Sequence, residues 1–327
     1  MLSSAESRMM GSGDVNPAAP QISLARATEG EYCQAALRAR RNEFWWYFNG
    51  LAPYRGYSRP FADATGRWWY GVKPGFAWPA DFFSPFDTAE KAAPRRRLLG
   101  WQFPVSAGAA NSSVWLNVVH DLAGYGIESV AENKRRAVRR GLRELDVRVA
   151  DPTDPATCSA ACEVWNSHVV RTSWNKATSV DKFQAGWAEL ADWPGTTVLV
   201  AREKSGDPNV AAWLIARCID DTVFVDTLAS HTDRLAHRPN DAIVFACLVA
   251  AERAGLRHAH YSLCSNIASL EAFKASLGFV PHPFPARLQL RRPIGLALRW
   301  LRPATYRRLL GSGEGLPTIQ PAENPKA

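Results

Sequence analysis

"SLEAFKASLGF", residues 269–279, carries the pattern on which the fold turns. Leu270, Phe273 and Leu277 fall at i, i+3 and i+7, which puts them on one side of a short helix. Gly278 stands where a left-handed residue ends a helix, and Phe279 follows as the apolar residue that folds back on the last turn. Lys274 lies directly beside the apolar stripe, an odd place for an ammonium in so short a helix.

The segments before this stretch supply its context. "HAHYSLCS" (258–265) alternates as a strand, and "DAIVFACLVAAERAG" (241–255) is apolar nearly all round, as in a buried helix. Strands are predicted at 145–150, 196–202, 209–219 and 222–230, the last two joined as a hairpin through the "CIDDTV" turn. Helices are predicted at 156–171 and 180–192, and "FPARLQL" supplies a final strand. Strand, two helices, an antiparallel set, a buried helix, a strand and a helix, in that order, predict an α/β (α+β) domain with a mixed sheet.

Residues 30–125 differ in character. A helix is predicted at 30–42, followed by aromatic clusters such as "NEFWWYFNG" and "GRWWYGV" between Gly and Pro turns, which suits short strands. A small β-rich core of large rings explains this density, with stacking on nucleic-acid bases as the alternative. Residues 1–28 and 312–327, rich in Ser, Gly, Ala and Pro, are expected to be poorly ordered.

At 327 residues the chain has room for about two domains. No stretch approaches the ~18 apolar residues of a transmembrane helix, and the start has no apolar core of a secretion signal. The six cysteines are scattered, mostly in apolar runs. Cys158 and Cys162 lie a turn apart but without a second pair or a nearby His, so reduced buried thiols, no metal and a cytoplasmic protein are expected. His258 and His260 lack an evident third ligand, and Cys264 is expected to be a small buried residue rather than a nucleophile. The net charge of +8 concentrates at Arg95–Arg97, in Lys134–Arg143 and after Arg291.

Within "ENKRRAVRRGLREL", Arg136, Arg139, Arg140 and Arg143 form a cationic stripe at i, i+3, i+4 and i+7. The stripe is a solvated face or a contact to phosphate or an acidic headgroup. Asp226 interrupts an apolar strand, a costly place for a carboxylate unless paired or working, and is the first candidate for a proton acceptor. His260 and Ser262 alternate along the next strand and give it a mildly polar face suited to lining a cleft. The tail at 291–311 holds six arginines and no acid among Leu, Ile, Trp and Tyr, with Pro293 and Pro303 breaking any long helix. It suits an anionic membrane surface, or docking onto its own domain.

The element order, the turn Ser265-Asn266 and the "EAFKASLGF" ending resemble the GNAT superfamily of N-acyltransferases. "NKRRAVRRGL", with Arg135, Arg136, Val138, Arg139 and Leu142 in the pattern, and Phe273-Lys274 before Gly278, resemble more specifically its Fem-type aminoacyltransferase branch and the cellulose-biosynthesis-protein-like acetyltransferase relatives. Pro239-Asn240-Asp241 matches the proline-led helix of that branch. The resemblance covers about 125–290. It implies a largely antiparallel sheet flanked by helices over 126–290, a divergent first lobe at 29–125 and a basic tail from 291 to 327.

By the same resemblance, an amine attacks an activated acyl carbon directly, with an acyl-CoA or an aminoacyl-tRNA as donor. The acceptor would be an amine on an envelope, lipid or polysaccharide precursor. Backbone N–H groups of the strand at 222–230 would hold the oxyanion, with Lys274 beside the donor. Phe273, Arg136, Arg139, His231, Arg238, Asn240, Asn266 and Ser262 are the candidate donor- and substrate-binding residues. One departure bears on the donor. "SHTDRLAHRPND" contains no glycine where acetyl-CoA-using members have a glycine-containing phosphate loop, and Asp241 opposes a phosphate at that helix start. His231, Arg234, His237 and Arg238 would then supply side-chain cations. The alternative is a non-catalytic module of the same shape that binds RNA or an anionic envelope precursor.

Overall fold

The computed structural model describes residues 20–38, 61–73, 75–86, 99–173, 176–205, 209–265 and 267–312. The aromatic run at 42–50, Arg95–Arg97 and Asn266 lie outside the described residues.

Helix α1 (Glu29–Arg38) precedes strands β1 (Phe61–Ala62), β2 (Trp68–Lys73), β3 (Phe76–Pro79), β4 (Gly100–Pro104) and β5 (Ser112–Val119). Next come α2 (Glu132–Glu144), β6 (Leu145–Ala150), α3 (Pro155–Thr172), α4 (Val180–Ala188), β7 (Thr196–Glu203), β8 (Val210–Ile219) and β9 (Thr222–Ser230). The chain continues with α5 (Pro239–Arg253), β10 (His258–Leu263), α6 (Ala268–Ser276), β11 (Val280–Leu290), α7 (Arg292–Leu301) and α8 (Pro303–Leu309).

Among the described residues the strands form one sheet in the order β1-β2-β3-β4-β11-β5-β10-β9-β8-β7-β6. Only β3–β4 and β9–β10 pair in parallel; the other neighbours are antiparallel. The sheet is thus mixed and largely antiparallel. It runs without a break across the 125/126 boundary, because β5 is inserted between β10 and β11.

Alternation along β8 assigns the two faces. Ala212, Leu214, Ala216 and Cys218 point to the face covered by α5, α2 and the end of α6, whereas Trp213 and Ile215 meet α3 and α4. Tyr32 of α1 packs on that second face with Trp193 and Ile219. A strand covered on both sides can be apolar throughout, and all of β8 is buried. Helix α5 is sandwiched between the sheet and α2, which explains its apolar circumference. Gly141 permits that approach, since a Cβ there would lie 2.8 Å from the Ala242 Cβ and 2.9 Å from the Arg238 carbonyl oxygen.

Helix α6 ends as its sequence predicts. Gly278 has φ +92°, its N–H donates to the Ala275 carbonyl, and the Phe279 N–H donates to the Lys274 carbonyl. Residues 20–28 correct the expectation of disorder over 1–28. Ile22 and Leu24 enter the core of the α5 face, and Ala27 bridges Ile219, with its N–H donating to the Cys218 carbonyl at 3.0 Å. Composition obscured three inward-facing apolar side chains.

Candidate active site

Strands β9 and β10 pair over three rungs only, Thr222–His258, Val223–Ala259 and Phe224–His260. Each strand then carries a bulge. On β9, Ile215 faces Thr227 and Ala216 faces Val225, which leaves Asp226 as the extra residue. On β10 the register against β5 shifts between His260 and Leu263, and Ser262 takes φ +61°. A bulge bends its strand, and these two sit just past the last shared rung. The strands therefore part into a V whose inner edges have no ladder partner there among the described residues.

Lys274 is fully buried. Its Nζ donates to Ser262 Oγ (3.0 Å), to the Leu263 carbonyl (3.4 Å) and to Glu271 Oε1 (3.0 Å), and it lies 5.4 Å from the centre of the Tyr261 ring. An ammonium has three donors, and these acceptors use all of them. Glu271 Oε1 also accepts from the Ser265 N–H and hydroxyl, which ties the turn after β10 to α6. Lys274 and Ser262 are thus brought together, with Phe273 one residue away under the Lys134 ammonium (5.1 Å to the ring centre).

Asp226 is closed to solvent and held by Arg217, whose Nη2 and Nε reach its Oδ2 at 3.0 and 3.2 Å. Arg217 also donates to the Tyr32 hydroxyl and lies over the Trp193 ring. Burial pushes the Asp226 carboxyl up to about 6 against the pull of Arg217. Asp226, the proton acceptor expected from the sequence, is thus engaged in a buried ion pair, and the sequence reading missed its partner Arg217 because that residue lies in an apolar run. His260 is buried neutral, its pKa pushed down to about 3 by burial and then by Lys274, with its ring edge-on to Phe224.

The loop before α5 disperses its cations. Arg234 pairs with Glu203 (3.0 Å) and His237 with Glu144 (2.9 Å), so both cations expected beside a donor phosphate are engaged with carboxylates here. His231 caps the short helical turn that follows, accepting from the Asp233 N–H. Asp241 pairs with Lys134 at 2.6 Å and occupies the first turn of α5. Asn240 Oδ1 is buried without a partner, while Arg238 is exposed with φ +59°. On α2, Arg140 and Arg143 lie against Glu144, whereas Arg136 and Arg139 stand exposed and have no ion-pair partner among the described residues.

On the opposite face from α5, at the foot of the V, lies a cavity of about 860 Å³. Phe224, the last paired residue of β9, lines it together with Glu29, Asp81, Asp220, His258 and Phe83, whose ring stacks on His258 at 4.7 Å. Burial, followed by the charges of Asp81 and Asp220, raises Glu29 to about 7. Sequence reasoning missed Glu29. The only signal was an acid in the first turn of the first helix, which is an ordinary helix start.

With this geometry in place, solved structures that match most of the chain include FemX and L-PGS from Bacillus licheniformis. FemX aligns over 84% of this chain and 98% of its own, with a TM-score of 0.55 at 9% identity. L-PGS from Bacillus licheniformis aligns over 88% and 98%, with a TM-score of 0.50 at 12% identity. The chain has a GNAT-like fold of the Fem type. Identity this low carries the fold alone. No family model matches the chain, and no curated protein matches it. Among the described residues no helix is long and apolar enough to cross a membrane.

Proposed function

We propose that this GNAT-like chain is an N-acyltransferase that joins an activated acyl group, held in the V between β9 and β10, to an amine presented from the cavity below it. The observation that carries this reading is the pair of bulges that opens the two strands directly above Phe224 and the cavity. Unpaired backbone N–H groups at a strand edge can stabilise an oxyanion at little reorganisation cost. The carboxylate-rich cavity attracts an ammonium, and a carboxyl poised near 7 matches the work of a general base at neutral pH.

In the proposed step, Glu29 takes a proton from the acceptor ammonium. The freed nitrogen lone pair attacks the acyl carbon, a C–N bond forms, and the bond from that carbon to the donor's oxygen or sulfur breaks. The attacking nitrogen gives up its remaining extra proton as the amide forms, and the departing oxygen or sulfur takes up that proton. For the donor, the first turn of α5 already holds Asp241 and its Lys134 partner, with α2 packed against it at Gly141. The exposed cations of this region that have no ion-pair partner among the described residues are instead Arg136 and Arg139 on α2 and Arg238. Side-chain cations spread over a surface suit a polyanion better than a single pyrophosphate, which favours an aminoacyl-tRNA over an acyl-CoA. An amine on an envelope, lipid or polysaccharide precursor is the acceptor class implied by the resemblance.

The test measures release of deacylated tRNA or of CoA, with several donors and a panel of amines. Transfer that falls about 100-fold in Glu29→Gln while the fold persists supports the reading. The second reading, a non-catalytic binding module, is favoured by one observation: all three donors of Lys274 are engaged internally. Tight tRNA binding with no turnover from any donor would establish it.

A further inference from the structure

The two C-terminal helices divide their tasks. Helix α8 is fastened to the sheet: Trp115 Nε1 donates to the Gly311 carbonyl (3.0 Å), Gln102 Nε2 to the Leu309 carbonyl (2.9 Å), and Arg308 Nη2 to the Cys264 carbonyl (3.2 Å). Helix α7 turns Ile294 and Leu298 inward, leaving the opposite side bare. Pro293, Leu296, Ala297, Trp300 and Leu301 fall at i, i+3, i+4, i+7 and i+8 and are all exposed, with Leu296 at 59%, Trp300 at 79% and Leu301 at 76%. Arg292 and Arg299 lie along one margin of this stripe, Arg291 and Arg302 stand beyond its two ends, and residues 291–311 contain no acid.

The geometry points to α7 as a docking element for an anionic phospholipid surface. An apolar stripe with arginines along one margin and at its ends seats its rings and alkyl groups among acyl chains while the guanidiniums stay at the phosphates. A second copy fits poorly, since a symmetric pairing of this face would set arginines against arginines. RNA would answer the charge but leave Leu296 and Leu301 without an apolar partner. The orientation is fixed by α8, so the stripe is held ready rather than formed on contact. The inference is independent of the transfer reaction, because it uses no residue of the V or the cavity.

The test sediments the full chain with vesicles of phosphatidylcholine alone and of phosphatidylcholine with phosphatidylglycerol. Binding is expected only with phosphatidylglycerol and should weaken as salt rises. Leu296→Ser with Trp300→Ala should lower the partition by about tenfold or more, and Arg299→Gln by roughly fivefold. These side chains are exposed, and far-ultraviolet circular dichroism of each variant confirms that it is folded. Equal affinity for neutral vesicles, failure to bind the acidic ones, or a dimer in solution that the apolar double variant dissolves would each overturn the proposal. Binding to acidic vesicles that survives the apolar double variant, or that RNA displaces without those two residues mattering, would reduce the face to a general cation surface and would also overturn it.

Discussion

The Lys274 ammonium lies 3.0 Å from the hydroxyl of Ser262, the residue of β10 that takes a left-handed backbone at the point where β10 bends away from β9. One bond thus joins the buried side of α6 to the bend itself. Lys274→Met should cost about 2 kcal/mol of stability, because it strands Glu271 and the Ser262 hydroxyl. Ser262→Gly relieves the left-handed strain and should stay within about 1 kcal/mol of the native chain. Urea unfolding of both variants checks the contrast, and an equal loss in the two would show that the left-handed backbone at Ser262 carries no strain for glycine to relieve.

A double-mutant cycle on Arg217 and Asp226 tests the buried pair behind the V. Asp226→Leu or Arg217→Met alone leaves an uncompensated charge and should cost roughly 3–5 kcal/mol. The two together should recover a large part of that loss. Additive losses, read from guanidinium melts, would mean that the pair is not coupled.

Glu29 makes the cavity sensitive to pH. Its carboxyl is raised from 4.5 to about 7 in the folded chain, so the folded state keeps a proton that the unfolded state releases first. This group therefore withdraws stability as pH rises from 4.5 through 7. Glu29→Gln should raise the melting temperature above pH 7, leave it nearly unchanged at pH 4.5, and abolish the lower limb of the pH–rate profile for transfer. A native-like limb in Glu29→Gln would assign the proton acceptor elsewhere.

Two histidines act in the opposite direction. Burial holds His168 at about 4, with Arg171 adding to the effect, and His260 at about 3, both below the ordinary 6.5. The unfolded chain takes up these protons first, so stability falls as pH drops from 6.5 toward 4. Thermal melts across that interval should show the decline, with a shallower slope in His168→Gln.

The architecture was largely legible because it rests on local patterns: the Gly278 stop, the apolar circumference of α5, the apolar runs of β7 to β9 and the alternation of β6 and β10 each leave a trace in the sequence. The site was less so. Lys274 was conspicuous beside an apolar stripe, but its three acceptors come from a different strand and from Glu271, and no spacing announces them. Asp226 was visible as a polar interruption, yet its partner Arg217 lies in the neighbouring strand, where Val210–Ile219 conceals it. The Glu29 carboxyl is raised first by burial and then by Asp81 and Asp220, which are distant in sequence and come near it only in the folded chain. For residues 20–28 the loop-like composition outweighed three apolar side chains whose alternation is too short to register.

Strand β5 is complete by Val119, yet its two neighbours are β10, which begins at His258, and β11, which ends at Leu290. On a ribosome adding about 5–20 residues per second, the middle of the sheet must wait many seconds with both edges of an apolar strand exposed. Completion of the middle of the sheet is thus governed by the last-made segments of the chain.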